Sequence, residues 1–162
     1  VHTPRAFDDP HFFSLCMHAD PLDNTTAAMV ARLPADPAVL AAAWVCPGSP
    51  CVGAFLPCYV EGVVPAVLAV GGAESDPASP WWRLRELLSL VERDFARLAP
   101  IVRARWDGFE DGLAREAAGV ENEAMRADDG ERAALLTAFM DRSVPAYLET
   151  ADVLVREIAA LA

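Results

Sequence analysis

Residues 1–72 alternate short apolar runs with turn residues, whereas residues 73–162 repeat apolar positions every three or four residues. The first texture predicts strands and the second helices. Residues 12–17 read as a strand, residues 19–24 as a turn built on Pro21 and Asn24, and TTAAMVARL (25–33) as a strand with small residues on both faces. After a break at residues 34–37, VLAAAWVC (39–46) forms the next strand. Its alanines alone would permit a helix, and the PGSP turn at 47–50 decides for a hairpin. VGAFLPCYV (52–60) is the return strand, and Pro57 implies an edge, a bulge or a strand end. The count is three to four antiparallel strands.

A loop over residues 73–80 separates the two textures, and residues 81–162 are mainly helical. Ser79 at the N-cap and Pro80 at the first helical position open a helix whose apolar stripe is Leu84, Leu87, Leu88, Val91, Phe95 and Leu98. A second helix is predicted to start near Pro100, with Trp106, Phe109, Leu113, Ala117, Val120 and Ala124 on one side. Gly108, Gly112 and Gly119 either weaken it or permit close packing. Asp128 or Asp129 caps a third, with Leu136, Met140, Val144, Tyr147, Ala151, Leu154, Ile158 and Leu161 inward and a kink at Pro145. Strands followed by long helices predict an α+β fold, with helices layered on an antiparallel sheet. At 162 residues the chain makes one domain, residues 1–162.

Composition adds a tension. The chain is 54% hydrophobic and 23% charged, rich enough to predict apolar surface covered by a partner or by missing chain. A net charge of −11 without a basic cluster argues against nucleic acid and anionic lipid as partners. The longest mainly apolar stretch, residues 38–60, is broken by Pro47, Gly48, Ser49, Pro50 and Pro57, so no membrane span is expected. The start, VHTPRAFDDPHFF, lacks the succession of a signal peptide and begins at Val1 rather than methionine. Processing or excision is the expectation, and a cytoplasmic location is favoured.

Candidate chemistry gathers in SLCMHADPLDNTTAAMVARLP (14–34). His18 can act as a base, a ligand or a hydrogen-bonded strand end. Asp20, Asp23 and Asn24 lack the ligand count and the glycine of a calcium loop, and a solvated turn is the simpler reading. Thr25 and Thr26 should point to opposite faces of their strand, one toward a pocket. Being internal, Thr25 has no free amine to activate it. No GxSxG elbow or glycine-rich phosphate loop is present, and Cys16, Cys46, Cys51 and Cys58 match no zinc spacing. Cys46 and Cys51 flank PGSP, which allows a cross-strand disulfide, with small buried thiols as the expected state. No metal and no cofactor are expected.

The succession SLCMH (14–18), NTTAAMVARLP (24–34) and AAAWVCPGSPCVGAFLPCYVEGVVPAVLAVG (41–71), followed by the helix WWRLRELLSLVERDF (81–95), resembles the C-terminal half of the secernin and dipeptidase-A family of cysteine peptidases. The likeness spans roughly residues 12–110 and rests on several short motifs in order. It implies an N-terminal-nucleophile hydrolase fold, a four-layer αββα sandwich in which an N-terminal cysteine attacks an amide and its own α-amine serves as base. Residue 1 here is Val and all four cysteines are internal, so the nucleophile is expected outside this chain, and the isolated chain is expected to be inactive. By the same resemblance His18, Asn24, Thr25 and Thr26 are substrate-pocket candidates, Trp44 and Pro57 belong to the hairpin, and Trp44 is expected in the core. The implied function is the C-terminal part of a dipeptidase or N-acyl amidohydrolase. Its implied partners are an N-terminal half or companion subunit and a small peptide or N-acyl substrate. A non-catalytic scaffold, an acyltransferase of the same superfamily and a homo-oligomer stay open.

Overall fold

The computed structural model describes residues 16, 18–19, 23–36 and 39–162. The chain is α+β: a three-stranded antiparallel sheet followed by long helices. A two-residue ladder comes first, β1 (His18–Ala19) against β2 (Asp23–Asn24), with His18 opposite Asn24 and Ala19 opposite Asp23. The expected turn over residues 19–24 is thereby shortened at both ends, because Ala19, Asp23 and Asn24 join the ladder. The strand expected at residues 12–17 lies outside the described residues except for Cys16, which sits in a turn.

The main sheet has the order β3 (Ala28–Arg32), β4 (Ala42–Cys46), β5 (Leu56–Tyr59). Val30 pairs with Trp44, and Trp44 with Pro57. Pro57 is tolerated because β5 is an edge strand, the first of the three readings its presence allowed. The hairpin is not tight: residues 47–55 form a nine-residue loop between β4 and β5. The strand expected from Thr25 begins only at Ala28, so Thr25 and Thr26 lie in irregular chain and the alternation predicted for them does not apply.

Register sorts the side chains. Ala28, Val30, Arg32, Ala42, Trp44, Cys46, Pro57 and Tyr59 share one face, and Met29, Ala31, Ala43, Val45, Leu56 and Cys58 share the other, on which Leu56 is buried in the core. Helices cover the first face at Ala42, Cys46 and Tyr59, all buried in or beside the core. Glu121 ties this face to the helical layer: its Oε1 accepts from Arg32 Nη2 at 2.7 Å and from the Tyr59 hydroxyl at 2.7 Å. On the other face Met29 is 66% exposed and Ala31 is exposed. Trp44 is half-buried rather than core, contrary to expectation, because it lies beside the uncovered Val30.

The helices are α1 (Pro80–Val91), α2 (Phe95–Ala124) and α3 (Asp129–Leu161). Leu84, Leu87, Leu88 and Val91 of α1 are buried as their spacing predicts. Phe95 and Leu98 belong to α2, after a 3-10 turn at Glu92–Asp94. Pro100 therefore lies inside α2 and does not start it. An internal proline costs about 3 kcal/mol through its missing N–H and ring clash. Burial of Leu98, Ala99 and Val102 around it offsets that cost, while Pro100 itself faces solvent. Asp128 caps α3, its Oδ1 accepting from the Glu131 N–H at 2.9 Å, so the choice between Asp128 and Asp129 falls to the former. Ser79 holds the N-cap position of α1, but its buried hydroxyl makes no hydrogen bond. Leu161 is 46% exposed, the one residue of the predicted α3 stripe that stays outside.

Candidate functional site

Thr25 and Thr26 run beside the 47–55 loop and the first turns of α1. Together with Gly48, Ser49, Trp81, Leu84, Arg85 and Leu88 they line a cavity of about 130 Å³. Both threonines are anchored through their backbones. Ser49 Oγ donates to Thr25 O at 2.6 Å, and Trp81 Nε1 donates to Thr26 O at 3.0 Å. Neither bond uses a threonine hydroxyl. Gly48 forms the floor against α1, where an added Cβ would lie 2.8 Å from Leu84 Cβ.

The loop carrying Ser49 is fastened to α2 from several sides. Arg103 Nη1 donates to Gly53 O at 2.6 Å and Pro50 O at 3.3 Å, and Nη2 donates to Asp107 at 2.6 Å and Glu110 at 3.1 Å. Burial alone would lower the Arg103 pKa, but the two carboxylates outweigh it and hold the guanidinium charged. Glu110 Oε1 also accepts from the Phe55 N–H at 2.7 Å, and Trp106 Nε1 donates to Val52 O at 2.6 Å. Trp106 in turn stacks on Tyr147 of α3 with ring centroids 4.8 Å apart. A nine-residue loop with this many anchors is a rigid wall, which pre-orients Ser49 and Thr25.

The chemistry of the cavity is that of recognition. It offers hydroxyls, an indole and one cation, Arg85, which among the described residues pairs with Glu92 at 3.7 Å. A guanidinium among hydroxyls suits a carboxylate or another small anionic group. None of the three cysteines in the hairpin is activated. Burial pushes the Cys46 thiol up to about 12 and raises that of Cys58, and the Cys16 contact together with burial raises that of Cys51. All four cysteines are thiols, so Cys46 and Cys51 are not bridged. Among the described residues no group of three or more His, Cys, Asp or Glu could hold a metal ion.

Two of the four expected pocket residues thus come together, Thr25 and Thr26. The backbones of His18 and Asn24 face each other across the β1–β2 ladder just before them, and the side chains of both lie outside what is described. Ser49, Trp81 and Arg85 escaped sequence reasoning. GSP at 48–50 has the composition of a plain turn, and the paired tryptophans at 81–82 that could have drawn attention sit at a helix start where a core role is equally natural. No family model matches the chain, and no curated protein is significantly similar to it. Among the described residues no helix is long and apolar enough to cross a membrane.

Proposed function

We propose that the chain is the C-terminal part of an amide-bond hydrolase, of dipeptidase or N-acyl amidohydrolase type, whose N-terminal cysteine nucleophile lies outside these 162 residues. The observation that carries this reading is the apolar surface left open at the β3 side of the sheet. In an αββα sandwich each sheet bears helices on one face and packs its other face on the second sheet. Here helices cover the face of Ala42, Cys46 and Tyr59; on the other face Leu56 is buried and Cys58 packs against the core, while Met29 and Ala31 of β3 stand exposed, so the open apolar surface lies at the β3 side. The ordered motifs shared with the secernin and dipeptidase-A family support the same assignment. The raised thiols of Cys46, Cys51 and Cys58 support a nucleophile supplied from elsewhere. In this scheme the cavity beside Thr25 and Thr26 takes one end of a small peptide or N-acyl substrate, and Arg85 faces its carboxylate.

The test is co-expression of this chain with the coding segment directly upstream, followed by assay on dipeptides and N-acyl amino acids before and after a thiol-alkylating reagent. The expected result is hydrolysis by the pair, loss of it on alkylation, and none from this chain alone. Hydrolysis insensitive to the reagent contradicts a cysteine nucleophile. A correctly folded pair without hydrolysis, transferring acyl groups to an added amine instead, assigns the acyltransferase chemistry. A pair with neither activity leaves the chain a scaffold.

A further inference from the structure

The cavity beside Thr25 and Thr26 is graded from mouth to floor. Thr26 and Arg85 are exposed at its mouth, while Gly48, Ser49, Leu84 and Leu88 are buried and close it below. A charge at the rim and two leucines at the floor suit a carboxylate held by Arg85 with an apolar side chain directed inward. Arg85 and Leu88, three residues apart on α1, are neighbours on its surface, so a carboxylate and a side chain borne on one Cα can reach both. The floor limits how large that side chain is. Gly48 packs so tightly on α1 that an added Cβ would lie 2.7 Å from Leu84 Cδ1, and Leu84 and Leu88 are 1% and 2% exposed. The walls are pinned as well, since Ser49 Oγ donates to Thr25 O and Trp81 Nε1 to Thr26 O. Widening the cavity would break these hydrogen bonds or displace core side chains.

We propose that the cavity selects a glycine or alanine at the carboxyl end of its ligand and rejects larger apolar residues. The substrates are then dipeptides or N-acyl amino acids ending in a small residue, which rests on the reading of this cavity as the seat of a hydrolase substrate's carboxyl end. Volume decides the size. A cavity of about 150 Å³ holds a benzene ring, roughly six non-hydrogen atoms, and this one has about 130 Å³. An alanine end, made of carboxylate, Cα and methyl, has about five such atoms and fits, whereas a leucine end has about eight and overfills the site. Leu88 is the size-determining residue, because its truncation to alanine removes as many carbons as leucine has beyond alanine.

The experiment is titration of the isotope-labelled chain with N-acetylglycine, N-acetyl-L-alanine and N-acetyl-L-leucine, followed by NMR at the Trp81 indole N–H, which lies on the cavity wall. The leucine derivative is expected to bind at least about tenfold more weakly than the alanine derivative, and N-acetyl-L-alaninamide, which lacks the carboxylate, to bind more weakly as well. In Leu88→Ala the leucine derivative should recover the lost affinity. Equal affinities for the three acids, tightest binding of the leucine derivative, or no shift with any of them overturns the proposal, whatever the reconstituted pair hydrolyses. The size preference without hydrolysis by the pair defeats the hydrolase reading and leaves the selectivity of the cavity standing. Should Leu88→Ala fail to fold, the wild-type series decides alone.

Discussion

Gly108, Gly112 and Gly119 all lie within α2, and at about 100° per residue they fall within roughly 40° of one another on the helix. At none of the three would an added Cβ meet any atom within 4 Å. Close packing, one of the two reasons such glycines are kept, is thus absent, and the helix bears their full conformational cost. Glycine in a helix interior is less favourable than alanine by about 0.8–1 kcal/mol. The three share no partner and sit at least a turn apart, so their effects should add. Gly108→Ala, Gly112→Ala and Gly119→Ala combined are expected to stabilise the isolated chain by about 2–3 kcal/mol. For a chain of this size that corresponds to a rise in Tm of about 4–12 °C. Urea unfolding followed by far-ultraviolet circular dichroism checks both the gain and an unchanged m-value. A combined variant no more stable than wild type, or less stable, refutes the reasoning, because it would mean that the open space on this face is filled in solution.

Gly62→Ala should do the opposite: its Cβ would lie 3.1 Å from Thr137 N and 3.2 Å from Leu136 C, backbone atoms that cannot step aside, so a loss of about 1–3 kcal/mol in urea is expected. Alkaline pH should weaken the fold through Cys46. Its folded-state pKa is raised from 9.0 to about 12, so its contribution is intact below about pH 9 and declines as pH rises toward 12, by about 1.4 kcal/mol per unit. Stability of wild type and Cys46→Ala measured at pH 7 to 10.5 should show the steeper fall in wild type; parallel curves sink the assignment. In the reconstituted hydrolase, Arg85→Ala should raise KM for substrates with a free carboxylate about tenfold while kcat changes little. An equal effect on an amidated substrate would remove Arg85 from carboxylate recognition.

The helices were legible because each declares itself locally. Leu84, Leu87, Leu88 and Val91 keep one stripe, Pro80 stands at the first helical position, and Asp128 supplies a cap that needs only residues of its own turn. Pro100 misled for the complementary reason. A local rule places a helix start there, and burial of Leu98 and Val102 against other elements overrides it. The nine-residue loop read as a tight PGSP turn follows the same logic. What holds it open is Arg103, Trp106 and Glu110, each fifty or more residues along the chain from the group it holds. Thr25 and Thr26 were findable as polar residues between apolar runs. Their pocket was not, since Ser49, Trp81 and Arg85 reach it only through tertiary packing.

The two parts of the molecule are held by different means, and the difference bears on the functional reading. The helical layer closes on itself: Trp106, Phe139, Tyr147, Leu154 and Ile158 are fully buried, and α2 and α3 bury one another. Among the described residues the sheet does not close. Its edge strand β3 exposes Met29 and Val30 and is followed by Leu33, which is 83% exposed, and the only charged side chain it carries, Arg32, is turned inward to Glu121. Edge strands that stand alone in solution are normally blunted by outward charges, prolines or bulges, because an open apolar edge templates association. Here the blunting is left to the net charge of −11, which opposes association of copies but costs nothing when a neutral or basic segment covers the strand. With Met29 on one face of β3 and Val30 on the other, both exposed, the strand leaves an apolar surface on both faces of this edge for another segment to cover.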